Sequence, residues 1–318
     1  MNKTYTHADQ PQMQAEVILA SRSAERPNDK PLVTIRLRYP RIIHGEIMTH
    51  RVFSRNARSS RAVPVKTMLN EVRTVPFVPW HWGANQSGMQ AGMEWNAPVV
   101  IPSDEDKPNT DLIFAREEVW LFARDRAVDA ASAMMEAGYH KQIPNRLLEP
   151  FSWIDTLITS NQWENFLWLR DHKDAEPHLQ DLARLVRQAL DEMEVQELAS
   201  GYWHTPYIKP EEYRDAPGDT FEEQVQFLCK ISAARCARIS YKPFDGDASY
   251  ERELERYNML VNSDRVHASP TEHQATPDIL SPLPRGRSGF SWHHPELHGN
   301  LKGWIQARKL IPNEVHHG

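Results

Sequence analysis

The chain has 318 residues, with 37 basic and 43 acidic side chains and a formal net charge of −6, which removes any whole-molecule drive toward nucleic acid and leaves an anion site to be local. With 40% hydrophobic and 25% charged residues, wholesale disorder and a single small module are excluded, and one large catalytic domain over 1–318 is expected. No window approaches the ~18 apolar residues of a membrane span, and MNKTYTHADQ has no apolar signal core, so a cytoplasmic location is expected.

Leu32 to Tyr39 alternates Val33, Ile35, Leu37 and Tyr39 with Thr34, Arg36 and Arg38, which predicts a strand with one apolar face, stopped by Pro40. Ile42, Ile43 and Ile47 follow at near-helical spacing. Residues 76–109 hold Pro76, Pro79, Pro98, Pro102 and Pro108 with Trp80, Trp82 and Trp95, which reads as a long insertion or lid whose tryptophans serve equally as packing anchors. A helical layer is expected over 110–198, with helices over Thr110 to Ala137, Asn161 to Arg170 and Pro177 to Leu198. Thr220 with Glu223 forms a capping box opening a helix through Leu228 and Ile231, Ser249 to Val261 reads as another helix, and 277–300 reads as loop. Cys229 and Cys236 are read as buried thiols. His293, His294 and His298 lack the companions of a defined metal site, so no metal is expected.

Thr49 to Arg61, THRVFSRNARSSR, packs four arginines, three serines, a histidine and an asparagine into thirteen positions with no carboxylate. Were it helical, Arg51, Arg55 and Arg58 would share one face and repel. Guanidinium forks and hydroxyls match a phosphate, while a solvated basic face and a nucleic-acid patch stay open on composition alone.

The same stretch resembles the RHRxxSxNExSxR signature of flavin-dependent thymidylate synthases. His50, Arg51, Ser54, Asn56, Ser59 and Arg61 match, Pro40 falls where that family ends the preceding strand, and Thr49 and Ala57 depart from the pattern. Asn145 to Arg170 is similar to the family's stretch that closes on NFLxLR, ARCARISY (234–241) to its ARVSY motif, and SPTEH (269–273) to its SPFEH motif. The last two blocks follow the arginine-rich signature here and precede it in the family, so the chain reads as circularly permuted.

The resemblance implies an α/β fold with a mixed sheet and a helical layer, and a homotetramer with shared active sites. It also implies reductive methylation of dUMP to dTMP, with methylene-tetrahydrofolate giving the carbon, NADPH reducing FAD, and no covalent nucleophile. Ser59, Arg61, Arg146 and Arg170 would hold dUMP, with Arg170 and Ser59 nearest the chemistry. His50, Arg51, Ser54, Asn56, Asn165, Ser240 and His273 would contact flavin or folate. The departures at Thr49 and Ala57 keep two rivals in view: a dUMP hydroxymethylase using the same donor, and a nucleotide- or nucleic-acid-binding relative without flavin.

Overall fold

The computed structural model describes residues 3–90, 92–102, 111–239, 247–262, 266–283 and 288–316. In chain order the strands are β1 (Thr4–Thr6), β2 (Gln14–Ser23), β3 (Leu32–Pro40), β4 (Ser54–Ala57), β5 (Val99–Ile101), β6 (Leu112–Phe114), β7 (Trp153–Ser160), β8 (Gln196–Leu198), β9 (Ala275–Pro277), β10 (Leu280–Pro282), β11 (Phe290–Trp292) and β12 (Trp304–Gln306). The helices are α1 (His44–Ile47), α2 (Val65–Thr74), α3 (Arg116–Glu136), α4 (Pro144–Leu148), α5 (Glu164–Arg170), α6 (Pro177–Asp191), α7 (Pro210–Asp215), α8 (Phe221–Ala237) and α9 (Tyr250–Val261). The class is mixed α/β. The main sheet runs β4–β7–β3–β2, with β1 and β8 on the outer edge of β2; its pairings are antiparallel except β8 on β2.

Strand β3 has the expected polarity, because Val33, Ile35, Leu37 and Tyr39 enter the main core together with Leu179, Leu182 and Val186 of α6. The opposite face meets α8 through Leu157, Cys236 and Ile239. A second core joins α2, α3 and α4 through Met68, Leu69, Val72, Val128, Ala131 and Leu148. Thr220 caps α8 by accepting from the Glu223 amide, and Ser249 caps α9, both as their sequence signals require.

Several expectations are corrected. Residues 54–57 form a strand rather than a helix: Ser54 and Asn56 are buried while Arg55 and Ala57 are half-buried, a period-two pattern that separates the arginines differently from a helical face. The expected helical layer over 110–198 contains the central strand β7. Its residues are buried on both faces save half-buried Asp155, so no alternation marked it. The helix expected to reach Leu198 ends at Asp191, and 196–198 pairs with β2. The α3 helix begins at Arg116, after the β5–β6 hairpin. The proline-rich stretch is anchored where it starts. Phe77 is fully buried, and Trp80 stacks on Trp153 at 6.5 Å while its Nε1 donates to Asp181 at 3.0 Å.

The chief polar anchor of α8 is Arg235, 2% exposed, which makes two 2.8 Å bonds to Glu212 of α7 and one to the Tyr207 carbonyl. Removing one partner of a buried pair strands the other's charge at a cost of about 3–5 kcal/mol. Arg235→Met is therefore expected to lower the urea-unfolding free energy by about that amount, whereas Arg126→Ala at an exposed pair is expected to change it by less than about 1 kcal/mol. Equal, small effects would show that the Arg235 pair is solvated.

Candidate functional site

Where β3 stops at Pro40, the chain turns into Arg41–Ile43 and α1, and the Arg41 amide bonds the Ser152 carbonyl at 3.0 Å. Strand β4 pairs with β7 as far as Ala57, after which the Arg58 amide bonds the Asp155 carbonyl at 2.9 Å and the chain turns at Ser59. Fully buried Asn145 then clamps this turn, its Nδ2 donating to the carbonyls of Ser60 (2.7 Å) and Val63 (2.8 Å). That clamp brings the next residue, Arg146, beside Arg61. The result is a pocket of about 310 Å³ lined by Arg41, His44, Ser59, Arg61, Arg146 and Glu149, among others.

The charge in this pocket is uneven. Glu149 accepts from Ser60 Oγ at 2.5 Å and lies 3.7 Å from Arg41, and Glu71 holds Arg58 by two bonds of 2.8 and 3.0 Å. Arg61 and Arg146 are exposed and find no carboxylate among the described residues. Burial presses the Arg41 guanidinium below its ordinary value, opposed by Glu149 and reinforced by Arg58 and Arg146. Burial, with Arg41 and Arg55, likewise keeps His44 low and neutral. Uncompensated guanidiniums beside a free hydroxyl suit a phosphate dianion.

Arg170 stands apart from that pocket. As the last residue of α5 it donates from Nε to His50 Nε2 at 3.0 Å and from Nη2 to Thr49 Oγ1 at 3.2 Å. A guanidinium only donates, so His50 Nε2 is a lone pair and the imidazole is neutral with its proton on Nδ1. Burial against Phe53 and Phe166, with Arg170 and Arg55 adding to it, lowers the His50 pKa to about 4. Arg51 and Asn165 are exposed.

The third group surrounds His273, which is fully buried and bonds Thr159 Oγ1 through Nδ1 at 2.8 Å, while its Nε2 has no partner among the described residues. Ser54 is buried against Asn300 and Gln306, and Asn56 Nδ2 donates to the Cys236 carbonyl at 3.2 Å. The 40–61 segment and the 234–273 block therefore touch. Ser240 lies outside the described residues.

Thus Ser59, Arg61 and Arg146 converge, Ser54, Asn56 and His273 share a second region, and Arg170 joins His50 instead of the dUMP set. Sequence reasoning missed Arg41, His44 and Asn145, although Arg41 follows the strand-ending proline and Asn145 opens a matched block. It also missed His204 and Thr159. Cys236 is buried as expected while Cys229 is half-buried, and burial pushes both thiols up from their ordinary value, away from the thiolate form. His294 and His298 both bond Asp278, at 3.2 and 2.8 Å. Among the described residues no group of three or more His, Cys, Asp or Glu is placed to hold a metal. No described helix is long and apolar enough to cross a membrane.

No protein-family model and no curated protein matches the chain. Among solved structures it is similar to the flavin-dependent thymidylate synthase ThyX from Helicobacter pylori, complexed with FAD and dUMP, at 18% identity over 52% of this chain and 70% of that one, with a TM-score of 0.32.

The depressed His50 gives a pH signature. Below the ordinary value of about 6.5 the unfolded chain takes up a proton that folded His50 refuses until about pH 4, so stability is complete above pH 6.5 and falls on acidification, by up to about 1.4 kcal/mol per pH unit per such imidazole. Urea unfolding from pH 7 to 5 is expected to show this loss, and His50→Gln to make it shallower by one imidazole's share, leaving those of His44, His204 and His273. An unchanged slope in the variant would mean that His50 titrates normally.

Proposed function

We propose that this chain is a flavin-dependent thymidylate synthase that methylates dUMP reductively to dTMP, taking the carbon from methylene-tetrahydrofolate and using FAD reduced by NADPH. The observation that carries the reading is the convergence of Ser59, Arg61 and Arg146, drawn from two segments far apart in sequence, on one pocket with surplus positive charge. The resemblance assigns these three residues, together with Arg170, to dUMP, and Arg61 and Arg146 to its phosphate. In this reading the motif order is circularly permuted.

Arg61 and Arg146 bind and orient the phosphate, Ser59 donates to it, and Arg41 adds charge from the pocket floor. Arg170 lies outside this pocket within one chain, the placement expected if a homotetramer shares its active sites between copies. The residues assigned to FAD retain groups that fit it: the exposed Arg51 guanidinium for a diphosphate, the exposed Asn165 amide, and the Nε2 of buried His273, which has no partner among the described residues. FAD, when bound, supplies the hydride. Neutral His50 excludes a second positive charge beside Arg170, and the two thiols, both pushed up by burial, are poor candidates for a covalent nucleophile.

Anaerobic incubation with dUMP, methylene-tetrahydrofolate and reduced FAD is expected to yield dTMP by mass analysis. A product carrying an added oxygen would make the chain a hydroxymethylase, and unchanged dUMP from a colourless protein would leave a binding relative.

The residue sets separate by affinity. One charge-assisted hydrogen bond contributes about 1.5–3 kcal/mol, so Arg61→Ala or Arg146→Ala is expected to weaken dUMP binding about 10- to 100-fold at unchanged flavin content. Arg51→Ala is expected to lower bound FAD while sparing dUMP. Calorimetric titration of each variant with both ligands checks the division, and loss of flavin by Arg61→Ala at full dUMP affinity would reverse the assignment.

A further inference from the structure

A line of hydrogen bonds crosses the sheet to His273. Gln196 Nε2, on exposed β8, donates to Ser21 Oγ at 3.0 Å. Ser21 Oγ then meets His204 Nδ1 at 2.8 Å, His204 Nε2 meets Thr34 Oγ1 at 2.8 Å, Thr34 meets Thr159 at 2.6 Å, and Thr159 meets His273 Nδ1 at 2.8 Å. Ser21, Thr34, Thr159, His204 and His273 are each 0% exposed, so water competes for none of the links from Ser21 to His273.

Each hydroxyl carries one proton and bonds, among the described residues, only its neighbours on this line, and each neutral imidazole carries one N–H, so with every proton spent along the line the direction of one bond fixes the others. Burial keeps both imidazoles neutral, lowering each to about 3. With Gln196 donating, the Ser21 proton is free for His204 Nδ1. His204 Nε2–H then serves Thr34, Thr34 serves Thr159, and Thr159 serves His273 Nδ1. The group left over is an Nε2–H on His273, the atom that has no partner among the described residues. An acceptor in place of the Gln196 amide nitrogen would take the Ser21 proton and reverse every link, leaving a bare lone pair at His273 Nε2.

We propose that Gln196, Ser21, His204, Thr34 and Thr159 are positioning residues that hold His273 as a neutral Nε2–H donor for a carbonyl oxygen or unprotonated ring nitrogen of a ligand bound beside Ser54 and Asn56. The tautomer assignment stands whatever the ligand is, whereas placing that acceptor on a flavin rests on the function proposed above.

Nitrogen-15 NMR of histidine-labelled wild-type protein, with His204→Asn and His273→Asn to assign the signals, is expected to show both imidazoles as Nε2–H tautomers. Neutron diffraction from wild-type crystals reads the same protons directly should either variant fail to fold. Gln196 is exposed, so its replacements leave the core intact. Gln196→Lys, a pure donor, is expected to preserve both tautomers, and Gln196→Glu, a pure acceptor, to convert both to Nδ1–H. A wild-type His273 in the Nδ1–H form, unlike tautomers at the two histidines, or a Gln196→Glu spectrum identical to wild type would overturn the proposal, because a merely structural polar cluster does not respond to that exchange. Added FAD is expected to shift the His273 Nε2–H signal. Absence of FAD binding would count against the enzymatic reading alone, and FAD binding with no shift at His273 would refute the ligand part of this one.

Discussion

Strand β7 lies between β3 and β4, with Thr156, Thr159 and Ser160 all fully buried. A buried hydroxyl without a partner costs about 1–3 kcal/mol, so each must be met by something its neighbours bring, and those neighbours are thereby fixed in place. On one face Thr156 meets the Tyr39 hydroxyl, which also meets His44 Nδ1. On the other, Thr159 meets Thr34 and His273. Ser160 donates to the Val52 carbonyl at 3.4 Å. The polar side chains of one strand thus set the entry to the arginine pocket, the loop that carries the signature, and the orientation of the buried histidine.

The arginine pocket draws on this rigidity. Four guanidiniums, those of Arg41, Arg58, Arg61 and Arg146, gather around it, while Glu149 and Glu71 are the carboxylates bonded within reach. Like charges so close would drive the turn at Ser59 apart if the backbone were free to move. The Asn145 clamp and the Arg58–Glu71 fork hold it instead. Repulsion kept in place by buried hydrogen bonds is preorganisation: an anion relieves it without a conformational cost.

How much of this was legible follows from which residues alternate. Strand β3 was readable because one face is apolar and the other is not, and α8 because Thr220 and Glu223 announce its start. The strand β7 was not, since burial on both faces erases the period of two, and a run of Trp, Ile, Thr, Leu and Ser then looks like part of the helical layer around it. In the signature, residue identities pointed to an anion before any secondary structure did, so Ser59 and Arg61 could be singled out, as Arg146 could from a separate block, although residues 54–57 form a strand and not part of a helix; the three line one pocket. Arg170 stands with His50 and Thr49 and not in the arginine pocket, a placement that its motif match could not give, since it carried no information about which side of α5 faces which pocket. The partners that arrive from distant segments, His204 and Asn145 among them, leave no local pattern at all.

The tail beyond the matched blocks belongs to the same constraint. Asn300 Nδ2 donates to the Val52 carbonyl at 2.9 Å and to Ser54 Oγ at 3.1 Å, and Gln306 Nε2 donates to Ser54 Oγ and to the Glu272 carbonyl. Strand β12, which carries Gln306, pairs with β9 directly after His273. The signature's buried serine is therefore satisfied by residues that the family resemblance leaves unaccounted for, and Arg26 ties the start of the chain to the same tail through the carbonyls of Asp278 and Gly303. Segments at both ends of the chain converge on the region around Ser54 and His273. Because buried polar groups tolerate few partners, a change in the tail that moved Asn300 or Gln306 would be felt first at β4, where the arginine-rich segment enters the sheet.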